Sequence, residues 1–96
     1  MSRAFVQEDA GGEPLGRYRL PPPSDPGFRR AAARTLLRGA HEGDTTGAEA
    51  TTGFYWGDPA LVGEVSAILA EAREDGDERL EQLAQRYLRR AGVSRG

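Results

Sequence analysis

Two apolar stripes on either side of a short Asp75-Gly76-Asp77 break constrain this chain more than any other feature. Leu61, Val62, Val65, Ile68, Leu69 and Ala72 recur at i, i+3, i+4 and i+7 spacing, and Leu80, Leu83, Ala84, Tyr87, Leu88 and Ala91 repeat the pattern after Asp75-Gly76-Asp77. Two amphipathic helices on so short a connection must fold back antiparallel. Gly76 is the residue suited to left-handed C-cap geometry, and Asp77 to capping the next helix. Gly92, with Arg86, Arg89 and Arg90 in the last turns, closes the second helix where cations suit the helix dipole.

A chain of 96 residues holds one domain. Its hydrophobic fraction is 38% but includes fourteen Ala, so the core is thin. There is no Cys, which excludes a disulfide framework, a thiolate nucleophile and a sulfur metal site; one His excludes a His-rich zinc site. A formal charge of −2 argues against nucleic acid as the main partner, although all thirteen cations are Arg. No apolar run approaches a membrane span and no signal-peptide stretch opens the chain, so a cytoplasmic protein is expected.

Upstream of the hairpin, five of the six prolines fall within residues 1–26, which predicts an extended arm over 1–25 ahead of a single helical domain over 26–96. The arm's apolar residues, Phe5, Val6, Leu15, Tyr18 and Leu20, are too scattered for a core of their own. Asp25-Pro26 signals a helix start, and Phe28, Ala31, Ala32 and Leu36 carry the 3.6 period to about Ala40, with Gly43 beyond the end. Thr-Thr-Gly, present at 45–47 and 51–53, predicts a loop with a short helical turn over Thr46–Thr51. Phe54-Tyr55-Trp56 then precedes a second helix start, Asp58-Pro59. Aromatics at such a corner plug the open end of a helix pair.

Few groups carry candidate chemistry. Glu71, Glu74, Asp75, Asp77 and Glu78 gather five carboxylates around the hairpin tip, where oxygen ligands for Mg²⁺ are a reading to weigh; composition favours helix capping instead, and no metal or other cofactor is assigned. Arg30, Arg34 and Arg38 recur four apart, a pattern of a solvated helix face that also suits an acidic partner. His41 follows on the same side but lacks the Cys or Gly-x-Ser-x-Gly elbow of nucleophilic catalysis. Tyr55 and Trp56 are candidate interface anchors, with core packing the simpler role.

Two stretches resemble one family. Ile68-Leu69-Ala70-Glu71-Ala72-Arg73-Glu74-Asp75-Gly76-Asp77 resembles the coiled-coil tip of the GreA/GreB transcript-cleavage factors, and Met1-Ser2-Arg3-Ala4-Phe5-Val6-Gln7-Glu8-Asp9 resembles the leader of one branch of them. The resemblance implies a hairpin that enters the secondary channel of RNA polymerase, where two tip acids hold a catalytic Mg²⁺. Only Asp77 falls on a family acid; Leu80 stands where the second belongs, and Glu78 and Glu81 are out of register. Hairpin arms of about 16 residues, roughly 24 Å, are short for that reach.

The expectation is therefore an all-α fold: an extended Pro-rich N-terminal arm, one amphipathic helix, then a C-terminal antiparallel helical hairpin. The expected function is a non-enzymatic protein-interaction module, transcription-associated and docking on RNA polymerase through Glu74, Asp75, Asp77, Glu78, Tyr55, Trp56 and the three arginines. The alternatives are a Mg-dependent stimulator of transcript cleavage acting through the acidic hairpin tip, and a plain helical oligomerisation protein unrelated to transcription; a thin core also makes a homodimer through the hairpin an expected way to bury surface.

Overall fold

The computed structural model describes residues 18–93. They form α1 (Phe28–Glu42), α2 (Thr45–Thr52), a 3-10 turn (Pro59–Leu61) that runs into α3 (Val62–Asp75), and α4 (Glu78–Arg90). There is no strand among the described residues, and the fold is all-α. The leader Met1–Asp9 and the arm residues Phe5, Val6 and Leu15 lie outside the described residues.

The hairpin forms as its two stripes require. Gly76 adopts φ +72°, and the Asp77 N–H donates to the Ala72 carbonyl at 2.9 Å, closing α3 with a Schellman-type turn. The Asp77 carboxylate accepts from the Leu80 N–H at 3.0 Å and starts α4. The arms have 14 and 13 residues, about 20 Å each and shorter than expected.

Helix α1 lies across the hairpin and packs on both of its helices. Ala32, Ala33, Leu36 and Leu37 bury one face of it against Leu61, Val65, Ile68 and Leu83. Two small alanines side by side let the helix axes approach, which spreads a thin set of large side chains over one continuous core.

The two Asp-Pro pairs differ: Asp58 caps its helix start as expected, at the head of the 3-10 turn that runs into α3, whereas Asp25 does not cap α1. Asp25 accepts from the Gly27 N–H at 2.7 Å and Asp58 from the Ala60 N–H at 2.9 Å, each an Asx turn two residues long. The α-helices begin only after these turns, at Phe28 with Gly27 as N-cap and at Val62 after the 3-10 turn. Thr46–Thr51 is a further correction: the short turn is a two-turn helix, α2, opened by Asp44 accepting from Gly47 N–H at 3.2 Å and closed by Gly53 at φ +81°.

The α1–α2 corner uses a Schellman-type turn too, with Gly43 at φ +77° and the Asp44 N–H on the Gly39 carbonyl at 2.7 Å. Gly39 is buried, and a Cβ there would stand 2.6 Å from the Ala48 Cβ. The two helices therefore meet with no room for a side chain between them. Tyr18 belongs to this corner although its place in the sequence assigns it to the arm: it is 6% exposed, and its hydroxyl donates to Asp44 at 3.0 Å.

The aromatic corner closes the end of the hairpin opposite Gly76. Trp56 meets Tyr87 edge-on at 5.0 Å, Phe54 packs near Phe28 at 6.3 Å, and the Trp56 N–H donates to Glu49 at 2.8 Å. The Tyr87 hydroxyl donates to the Asp58 carbonyl at 2.8 Å. Burial, with the Asp58 carboxylate nearby, pushes the Tyr87 phenol above its ordinary range.

Candidate functional site

The expected tip cluster divides in two. Glu74, Asp75, Asp77 and Glu78 are all exposed around the Gly76 turn. Glu71, a turn further back on α3, instead faces α1, where it pairs with Arg30 and, at 2.8 Å, with Arg34. The hydrogen bond from Arg30, reinforced by the positive charge of Arg30 and Arg34, holds the Glu71 carboxyl below its ordinary range against a smaller opposing effect of desolvation. Among the described residues no three His, Asp or Glu side chains converge as a metal site requires.

Asp77 spends its carboxylate on the start of α4. Leu80, one turn on, packs against the core and lines a groove between α1 and α4. These two positions are the ones the Gre-type pattern would fill with a pair of acids. Here one is a helix cap and the other a half-buried apolar residue.

The arginine stripe is not the uniform solvated face its spacing suggests. Arg30 and Arg34 share the single carboxylate of Glu71, tying α1 to α3. Arg38 pairs with Glu42 at 3.0 Å and lies over the Tyr18 ring at 5.9 Å. These side chains remain partly exposed, which keeps the pairs weak individually.

The aromatic candidates also separate. Trp56 is half-buried on Tyr87, so its packing role is met within the chain. Tyr55 is 57% exposed. It is the exposed aromatic of the corner.

A groove beside the tip, about 430 Å³ in volume, runs between the second half of α1 and the first half of α4 and is not foreshadowed by any motif. Its floor is Leu37, Leu80 and Leu83, and its rim carries Arg34, Arg38, His41 and Arg79 with Asp77 at one end. Arg79 Nε donates to His41 Nδ1 at 3.2 Å, joining the two walls. The available signal is the exposed helical position of Arg79 one residue before Leu80, which means little until α1 is set opposite. A second cleft, on the α3–α4 side and about 720 Å³ in volume, carries Arg73 and Arg89 over Leu69 and Leu88; Arg73 is paired with Glu81 at 3.2 Å.

Comparison with protein-family models, curated proteins and solved structures finds no match to this chain.

Proposed function

We propose that the chain is a non-enzymatic protein-interaction module, transcription-associated, whose partner is RNA polymerase. The observation that carries the interaction reading is the projection of an exposed acidic turn, Glu74, Asp75, Asp77 and Glu78, from a hairpin braced at its other end by Tyr87 and Trp56. A braced two-helix arm presents side chains at its tip with little ordering left to do on binding. The choice of polymerase rests on the likeness of residues 68–77 and 1–9 to the Gre-type tip and leader. The non-enzymatic part is supported by the commitment of Asp77 to the Leu80 amide and by the apolar side chain at position 80.

Affinity capture from native extract on the immobilised full chain tests the partner. Retention of RNA polymerase subunits is expected, and their absence overturns the polymerase assignment. In a reconstituted backtracked complex the chain should give no stimulation of RNA cleavage. Stimulation that disappears in Asp77→Asn would establish the Mg-dependent alternative.

A further inference from the structure

We propose that the corner where Tyr55 stands beside the end of α4 is a binding site for single-stranded nucleic acid, with the Tyr55 ring stacking on a base and the Arg86 and Arg90 guanidiniums holding the adjoining phosphates. The proposal does not rest on the protein-interaction reading, and it assigns the molecule a ligand besides its protein partner.

Unspent charge marks the surface. Arg29, Arg30, Arg34 and Arg38 of α1 all pair with carboxylates, as does Arg73 of α3. Arg86 and Arg90, on α4, are exposed and have no carboxylate partner among the described residues. From Gln82 onward the chain contains no Asp or Glu, so the neighbouring turns of α4 offer them none. The acids of the corner are committed elsewhere: Glu49 accepts from the Trp56 N–H, Asp58 from the Ala60 N–H, and Glu64 pairs with Arg29. The dipole of α4 rewards a cation in its last turn, and Arg86 stands outside that turn.

Position argues for the ligand. Gly57 is buried beneath the Arg90 stem so closely that no Cβ would fit between them, which lays that side chain against the backbone beside Trp56. Tyr55 lies two residues from Gly57 and so no more than about 7 Å away along the chain. Arg86 and Arg90, four apart, share one face of α4 about 6 Å apart along its axis. One ring and two cations distant in sequence thus meet at one corner. Tyr55 is the large hydrophobic side chain left exposed among the described residues. A protein interface needs an apolar core, and a single ring does not supply one. A single strand needs only a flat ring for a base and guanidinium forks for phosphate oxygens. The formal charge of −2 makes the site a local one, so modest, salt-dependent affinity is expected.

The test titrates the full chain into a fluorescently labelled oligothymidylate of about twelve nucleotides at low salt and follows its anisotropy. Saturable binding is expected, with log affinity falling against log salt at a slope of about −1.4, as two phosphate contacts give on a single strand. Tyr55→Ala should weaken binding about fivefold or more, while Tyr55→Phe, which keeps the ring, should stay within about twofold. Arg86→Gln and Arg90→Gln should each weaken binding severalfold and reduce the slope by about 0.7. Arg73→Gln, the same change of charge near the tip of the hairpin, should stay within about twofold. Four outcomes overturn the site. They are no binding at low salt, equal losses in Arg73→Gln and Arg86→Gln, equal binding of a duplex of the same length, whose base faces are hidden from a ring, and equal binding of a poly-glutamate peptide, which would make an acidic protein segment the occupant.

Discussion

The α3–α4 hairpin and the α1–α2 corner turn the chain in the same way, each with a left-handed glycine, Gly76 or Gly43, followed by an aspartate that caps the next helix. The helices launched from the two turns differ. Helix α4 has 13 residues and buries Leu83, Ala84 and Tyr87, while α2 has eight residues and buries only Ala48 and Thr52. An isolated helix as short as α2 does not hold itself together in water. It is held by the close approach of Gly39 to Ala48 and by polar ties, from Tyr18 to Asp44 and from Trp56 to Glu49. The hairpin spreads its stability over an apolar stripe, whereas the corner concentrates it at one contact where volume is not negotiable.

That contrast is broken most sharply at Gly39. Gly39→Val should cost about 3 kcal/mol, because the added atoms meet the Ala48 Cβ and the Asp44 carbonyl and neither belongs to a flexible side chain. A thermal melt followed by circular dichroism measures it. A melting temperature close to that of the parent would mean that α2 slides away freely and that the corner is not held there.

The matching change in the hairpin is smaller. At Gly76 nothing stands near an added Cβ, so Gly76→Val meets only the backbone cost of a β-branched residue at φ +72°, about 1–2 kcal/mol. Asp77→Ala should cost about 1 kcal/mol through loss of the cap, and Asp77→Asn, which keeps a capping oxygen, should be nearly neutral. Equal losses in both Asp77 variants in denaturant titrations would show that its charge, not its acceptor oxygen, is what the tip needs.

The smallest effect tests the link between the two regions. Glu71, paired with Arg30 and Arg34, has its carboxyl held below 4.5, so its ionised form favours the folded state. That contribution is present above the ordinary carboxylate range and fades as pH falls through the lower folded value. Glu71→Gln should therefore melt slightly earlier at neutral pH, and the gap to the parent should close on acidification below 4.5. A gap that stays constant with pH would assign the difference to packing.

The hairpin is legible in the sequence because its signals are local: a 3.6 period, a glycine and an aspartate within one window. Helix α2 is half legible. Its Thr-Thr-Gly repeats mark a loop by propensity, and Ala48 alone carries no period, so the contact with Gly39 that stabilises it is invisible in either segment. Asp58-Pro59 marks a capped helical start, whereas Asp25-Pro26 marks the right place but not the Asx turn that delays α1 to Phe28. Tyr18 is hidden by its proline-rich surroundings, since burial is decided by Asp44 and Arg38, both more than a helix away in sequence. For the candidate site, the tip acids are legible as a cluster, but Glu71 belongs with α1, and the Leu37–Leu80–Leu83 floor exists only once α1 and α4 are side by side.

Trp56 gives the molecule a built-in optical reporter. It is the single tryptophan of the chain, and it sits where the corner closes on the hairpin, 5.0 Å from the Tyr87 ring. At that separation light absorbed by the phenol passes efficiently to the indole, and the emission colour tracks how wet the indole is. Loosening of the corner alone would redden and weaken that emission while the helical signal of α3 and α4 persisted. Loss of both signals together would mark unfolding as one unit. One fluorophore at one junction thus lets two levels of structural order be timed separately in the unlabelled protein.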